Sequence, residues 1–396
     1  MELAEKIRIL LEMAVDDLDE GLRHSALRPI NIRPLRHGGR TFRIFRILLT
    51  NACVFNCYYC PMRRDRDLPR VEVSPEQLAH VFMTTYRRGW ADGLFVTSGI
   101  PLSPRDTVDR LIRLLEILRF REGYRGYIHV KVVAGADSAQ LRRVVELADR
   151  VSLNLEAPCP DVLRQIAPQK NFTLYLRTLT EVHRLAESLR ADGRPVLRSG
   201  ITTQFVVGAA DDTDRQILTL VERLYRERVL HHAHFSAFRP IRATPLENRP
   251  ETPALREHRL YQVDYLLRHY GFRLDEVVFD GHGNLPLEVD PKTAWALAHP
   301  EEFPVEVLTA DRERLLRVPG IGPKTAENIL RARAAGVLRD ARDLAALGVR
   351  LWSAAGFLTL RGRRLADACG LTLRPLIDPR TASGRRLYEF SPGTFR

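Results

Sequence analysis

Residues 43–61 read RIFRILLTNACVFNCYYCP, a β-rich apolar run followed at once by Cys53, Cys57 and Cys60 in a CxxxCxxC arrangement. A run that stays largely apolar on both faces suits a strand of a parallel sheet covered by helices. The pattern then repeats. Apolar β-rich runs at 93–98, 128–133, 151–155, 201–207 and 233–238 alternate with amphipathic segments. Helix starts are readable between them, such as Ser74 ahead of Pro75, and Asp137 or Ser138 ahead of a later helix. Six such units joined by right-handed crossovers curl into part of a barrel. The predicted fold is therefore α/β, a partial (β/α)6 TIM-like barrel over 42–242, with its site at the C-terminal strand ends. The three cysteines follow the first strand and fall at that end.

The rest of the chain divides around this barrel. An Arg-rich segment occupies 1–41; the Pro-rich stretch ATPLENRPETP opens a linker and helical extension over 243–300; and 301–396 reads as an all-α region. With 396 residues, 45% of them hydrophobic, the chain can bury a large core. It contains neither a leader pattern nor an apolar stretch of about 18 residues, so a cytoplasmic location without a membrane partner is expected.

The net charge of +12 is carried by Arg, since only five of the 61 basic residues are Lys. Arginine suits bidentate phosphate contact, although an Arg-rich proteome would give the same bias. Distribution favours the first reading. Arg23, Arg28, Arg33, Arg36, Arg40, Arg43, Arg46, Arg63 and Arg64 fall within 21–64, and no acidic residue interrupts them. Whatever this charge attracts would be held beside the cysteines.

Five cysteines, an odd number with three of them inside eight residues, do not make a secreted disulfide framework. A zinc site asks for a fourth Cys or His, and none appears between Ile47 and His80. A four-iron cluster ordinarily takes four cysteines. Three would leave one iron open, as a reactive metal site requires.

The loop resembles the radical S-adenosylmethionine (radical SAM) superfamily motif CxxxCxΦC, with Tyr59 in the aromatic position. The resemblance implies a 4Fe-4S cluster on Cys53, Cys57 and Cys60, with S-adenosyl-L-methionine chelating the open iron. One electron from an external donor would then split the sulfonium C–S bond and release a 5′-deoxyadenosyl radical. Other strand ends resemble the same plan. Thr97, Ser98 and Gly99 stand where the methionyl amino group is received, although the family's usual GGE is missing. Asn154 and Glu156 resemble residues that hold the ribose and aminoacyl ends; their bland reading is polar ends of a buried strand. Val207 with Gly208, and Ser236 with Phe238, resemble strands flanking the adenine. Cys159, three residues past Glu156, reads either as a hydrogen-atom donor to a substrate radical or as an ordinary buried thiol, and Cys369 reads as core. Two cysteines outside the motif are too few for an auxiliary cluster.

Near the C-terminus, TADRERLLRVPGIGPKTAENILRAR (309–333) holds two helical segments around Pro319, Gly320, Ile321 and Gly322. The two glycines allow a tight turn that buries Ile321 and leaves backbone N–H groups pointing outward at the second helix start. Such groups bind phosphate, and Lys324 is placed to join them. The segment resembles the helix-hairpin-helix motif of DNA repair proteins, which grips DNA backbones without reading sequence. A second pair, ARDLAALGVRLWSAAGFL, has LGV in place of the glycine turn and reads as structural.

The barrel motifs, the segments IAPQKN and VVGAADDTDRQIL and the hairpin together resemble a bacterial family of DNA modification or repair radical SAM proteins, over roughly 43–360. That resemblance implies action on DNA bases and a uracil-DNA-glycosylase-like protein partner. Two alternatives stay open: a radical SAM enzyme acting on RNA, and a non-catalytic iron–sulfur protein that binds DNA.

Overall fold

The computed structural model describes residues 1–14, 32–37 and 40–368. Cys369 and the arginines at 23 and 28 lie outside the described residues. By its contacts the chain separates into two compact units, Met1–Glu257 and His258–Arg396.

The first unit is a single sheet: β1 (Ile32–His37), β2 (Arg40–Leu48), β3 (Gly93–Thr97), β4 (Tyr127–Lys131), β5 (Arg150–Ser152), β6 (Ile201–Val207) and β7 (His232–Ala237). The spatial order follows the sequence order. From β2 to β7 every neighbour is parallel, so six strands form the curled half-barrel that the repeating pattern implies. β1 is an addition that the sequence reading did not contain: an Arg-rich strand with Pro34 inside it, antiparallel to β2. Proline is tolerated there because β1 is an edge strand, where a missing N–H need not face a neighbour.

Helix α1 (Leu3–Met13) precedes the sheet, and α2 (Pro75–Arg87), α3 (Pro104–Glu116), α4 (Ser138–Leu147), α5 (Pro160–Ile166), α6 (Phe172–Ala191) and α7 (Asp214–Arg226) lie in the crossovers. Both expected starts are present as capping boxes, Ser74 with Gln77 and Asp137 with Gln140, each satisfying backbone N–H groups that the first turn leaves open. Alternate strand residues such as Ile47, Leu94, Val96, Ile128, Val130, Val151, Phe205 and Phe235 are wholly buried. They form the outer face, and each contributes roughly 1.5–3 kcal/mol of burial. The opposite parity faces into the half-barrel, where the polar residues are.

Helix α8 (Ala254–His269) contains the point of division. The second unit continues with α9 (Pro291–Ala298), α10 (Arg312–Arg317), α11 (Pro323–Ala334), α12 (Ala341–Ala346) and α13 (Leu351–Ala354). A small sheet of β8 (Val305–Glu306), β9 (Leu358–Leu360) and β10 (Arg363–Arg364) is added to these helices. Leu315, Ile321, Ala326, Ile329, Leu344 and Leu358 share its core. Among the described residues, no helix is long and apolar enough to cross a membrane.

Candidate active site

The loop after β2 is held from three sides. Asn51, fully buried, donates to the Pro69 carbonyl at 2.8 Å and accepts from Val71 N–H at 2.7 Å. Gly99 N–H donates to Thr50 O, and Val54 N–H to Ile100 O, each at 2.7 Å, which zips the loop to the end of β3. Tyr58 N–H donates to Ile166 O at 2.7 Å, and Asn56 N–H to the Gln169 side chain at 2.6 Å. Gly99 has a specific reason to be glycine: a Cβ there would stand 2.2 Å from Ala52 O. Arg70 closes the loop by donating to the carbonyls of Asn51 (2.8 Å), Met62 (2.8 Å), Arg63 (2.6 Å) and Arg66 (2.9 Å). A guanidinium, with several fixed donors on one plane, can gather that many acceptors.

The loop faces a cavity of about 420 Å³ at the C-terminal strand ends. Cys53, Cys57, Cys60, Tyr59, Thr97, Ser98, Gly99, Asn154, Glu156, Ser236 and Phe238 all line it, so eleven residues singled out in the sequence converge on one space. Val207 and Gly208 are not among the lining residues. Val206 takes that place, because Val207 has the outward parity and is fully buried. Gly208 N–H is engaged by the Asp212 carboxylate at 3.0 and 3.1 Å. Cys159 precedes α5 and packs in the apolar cluster that contains Cys57 and Cys60, but does not line the cavity.

Among the lining residues not singled out from sequence, five carry charged or polar side chains: Lys131, Lys170, Tyr175, Gln204 and Arg239. A usable signal existed. Two of the chain's five lysines, Lys131 and Lys170, line the cavity, and two others, Lys292 and Lys324, belong to the hairpin region, so the rarest basic residue marks the sites. Lys170 Nζ lies 2.9 Å from a Glu156 carboxylate oxygen and 3.4 Å from Tyr59 Oη. Burial alone would lower the Lys170 amine, but the Glu156 carboxylate together with Tyr59, Tyr175 and Cys57 outweighs it and holds the amine well above its ordinary value. Glu156 itself sits at φ +66°, a left-handed conformation uncommon outside glycine. It is fixed by Glu156 N–H to Gln204 O and Val206 N–H to Glu156 O, both at 2.9 Å. Backbone strain held in place at a cavity wall is typical of functional positions.

The donor set fits an iron–sulfur cluster with an open iron. Burial pushes the Cys57 and Cys60 thiols up from their ordinary values, so they are protonated until a metal displaces the proton. Among the described residues, no three His, Cys, Asp or Glu side chains are gathered as for one ion. A cluster would bind each thiolate to a different iron, and so asks for a wider spacing than one ion does.

Comparison with known proteins agrees with this geometry. Residues 47–224 match the model of the Radical SAM superfamily, and residues 288–334 match the SAM-like Helix-hairpin-helix tandem. The first is the domain of a radical SAM enzyme, a class that uses a 4Fe-4S cluster and S-adenosylmethionine. No curated protein matches the chain. Solved structures that resemble it include the FeFe-hydrogenase maturase HydG from Carboxydothermus hydrogenoformans, at 16% identity and TM-score 0.46, covering 57% of this chain and 51% of that one. Methylornithine synthase PylB shows 16% identity and TM-score 0.44, covering 55% and 60%. Coproporphyrinogen III oxidase HemN from Escherichia coli shows 12% identity and TM-score 0.35, covering 57% and 51%. The chain thus spans about half the length of several structures it resembles.

In the second unit, Gly320 adopts φ +81°, Ile321 is 1% exposed, and α11 begins at Pro323 with no side-chain cap. The first-turn N–H groups are therefore not taken by a capping side chain, and Lys324 is exposed beside them. The segment read as a second hairpin is one: Gly348 at φ +97° turns α12 into α13, and Arg350 N–H donates to Gly320 O at 3.3 Å. Lys292, buried in α9, donates from Nζ to the Ile321 carbonyl at 2.5 Å.

Proposed function

We propose that this protein is a radical SAM enzyme that reductively cleaves S-adenosylmethionine and acts on bases in DNA. The observation that carries the first half is the convergence of three thiols, a hydroxyl-rich strand end and the Glu156–Lys170 pair on one cavity. Cys53, Cys57 and Cys60 would hold the cluster, which supplies the electron that breaks the sulfonium C–S bond once an external donor has reduced it. The chain's own residues do the positioning. Thr97, Ser98 and the Gly99 backbone present oxygens and an unhindered wall to the amino end; Glu156 and Asn154 face the ribose and aminoacyl ends; Phe238 and Val206 give the adenine an apolar wall. The cavity keeps these groups largely out of water, where hydrogen bonds and charge are worth more.

DNA as substrate is supported by the hairpin, whose uncapped helix start and Lys324 suit a phosphate backbone. A base reached by the barrel has to be unstacked or flipped first. Two measurements test the reading. Anaerobically reconstituted protein should bind about four irons and release 5′-deoxyadenosine under reduction. Mass spectrometry of DNA and RNA nucleosides from cells with and without the protein should then show a change confined to DNA. A change confined to RNA would establish the RNA-modifying alternative instead, and iron without 5′-deoxyadenosine would leave a non-catalytic binder.

A further inference from the structure

The seven strands of the first unit's sheet contain no aspartate or glutamate. The charged and imidazole side chains on their inward face are all on the basic side. Arg46, Phe95, His129 and Arg150 are register partners across β2, β3, β4 and β5. Lys131, Ser152, Thr202 and His232 form the next row across β4 to β7, and Gln204 pairs with His234 beyond it. All share parity with the cavity residues Thr97, Lys131, Gln204 and Ser236, because side chains two apart on a strand face the same way. One inner surface therefore runs from the cavity down the half-barrel.

Its parts are organised. Phe95 stacks on His129 with ring centroids 4.2 Å apart, and the Arg46 guanidinium carbon lies 4.4 Å from the Phe95 ring centre. His129 Nε2 is 2.8 Å from Ser152 Oγ, and the rings of His232 and His234 meet edge to face at 4.5 Å. His129 is driven well below its ordinary value by burial, and then by Arg150, Arg46, His234 and Lys131, so four other groups throw positive potential on one imidazole. At the mouth, the Glu156 carboxylate is engaged by Lys170. Collecting like charge in a concave, half-buried wall costs folding energy, and such a surface concentrates field lines for an anion. What draws the anion is the summed charge of the face, not an idle donor on any one side chain.

We infer that the inner wall of the half-barrel, with Arg46, His129, Lys131 and Arg150 at its centre, binds a phosphate ester of the substrate, so that the reacting molecule enters as a nucleotide. This rests on the reading of the cavity above as the S-adenosylmethionine site and adds the class of substrate. The phosphate could belong to a free nucleotide or to a strand, and the test separates them.

Reconstituted full-length protein saturated with S-adenosylmethionine would be titrated calorimetrically with thymidine, thymidine 5′-monophosphate and a five-nucleotide single strand of thymidylate, with inorganic phosphate as competitor. The monophosphate or the strand should bind at least tenfold tighter than thymidine, and phosphate should compete. Binding of the monophosphate points to a free nucleotide, and binding of the strand alone to a polymer. Arg46→Gln should weaken that binding about tenfold and Arg46→Lys should largely restore it. Unchanged iron content and S-adenosylmethionine affinity in both variants would show the barrel intact. If phosphate confers no advantage, or Arg46→Gln binds like the parent while iron and S-adenosylmethionine are bound normally, the inference is wrong and the radical SAM reading stands. If the parent fails to bind S-adenosylmethionine, that reading fails, and the phosphate preference is still measured without the cofactor.

Discussion

Lys170 and Glu156 form an ion pair at 2.9 Å whose side chains are 11% and 6% exposed, with Glu156 held in a left-handed backbone conformation at the edge of the cysteine loop. The pair sets both the charge and the shape of one wall of the cavity. Removing one partner of a buried pair leaves an uncompensated charge and costs about 3–5 kcal/mol. Glu156→Gln and Lys170→Met should each destabilise the barrel by that order in urea unfolding, and the double variant should be less destabilised than the sum. S-adenosylmethionine affinity should fall in Glu156→Gln while iron content is retained. Additive effects of the two changes would mean that the pair is not coupled.

Gly99→Ala should lower iron content and cost stability as well. Its Cβ would stand 2.2 Å from Ala52 O, so the cysteine loop has to shift and the Gly99–Thr50 and Val54–Ile100 hydrogen bonds go with it. Gly281, where an added Cβ meets nothing within 4 Å, is the control, and Gly281→Ala should load iron like the parent. Equal loading in the two variants would show that the loop tolerates the displacement.

Arg70→Lys keeps the charge but loses the planar fork that gathers five carbonyls of the cysteine loop, that of Arg64 at 3.3 Å included. Reconstitution should become slower and incomplete, and protease sensitivity at 62–66 should rise. Arg70 illustrates what the sequence could not show. It is one Arg among many, and its role exists only once the loop folds back on it. The cysteines were legible because their spacing is itself the site, and the strands because burial on both faces leaves apolar runs. β1 escaped for the converse reason, since an edge strand rich in Arg carries no apolar signature. The ladder of β5 ends at Ser152 and not at 155, because between the Ser152–Thr202 pair and the Glu156–Phe205 bridge its chain holds one residue more than β6, and this bulge interrupts the pairing. Val206 rather than Val207 follows from parity alone, fixed by the inward Gln204 two residues earlier.

Lys292 gives the second unit a pH dependence with a definite sign. Burial lowers its amine to about 7, while the unfolded chain keeps the ordinary lysine value near 10.4. Between those values the unfolded state binds the extra proton, so the penalty is full below about pH 7 and is relieved as pH rises toward 10. Stability of the parent relative to Lys292→Met should therefore increase across that window in chemical unfolding followed at several pH values. A flat difference would mean that the lysine is charged throughout in the folded state.

The hairpin prediction concerns how DNA is held. If the turn before α11 presents backbone N–H groups to phosphate, binding should be insensitive to sequence and weaken steeply with salt as counterions are released. Gly320 sits at φ +81°, and an added Cβ would lie 2.4 Å from Ser353 Oγ and 2.9 Å from Arg350 O, so Gly320→Val must distort the turn and the second hairpin that packs on it. Gly322 is less constrained, since its Cβ would meet only the Tyr270 hydroxyl at 3.2 Å. Gly320→Val with Gly322→Val should reduce affinity for double-stranded DNA strongly. Lys324→Ala, an exposed change that leaves the turn intact, should reduce the salt slope by about one, as for a single lost phosphate contact. Fluorescence anisotropy with double-stranded, single-stranded and RNA oligonucleotides across a salt series reads all of these. Because the glycine changes also risk the fold of the hairpin, the Lys324→Ala slope is the decisive quantity. A slope identical to the parent's, with the double glycine variant binding every ligand normally, would reduce the hairpin to packing and remove the main physical support for DNA.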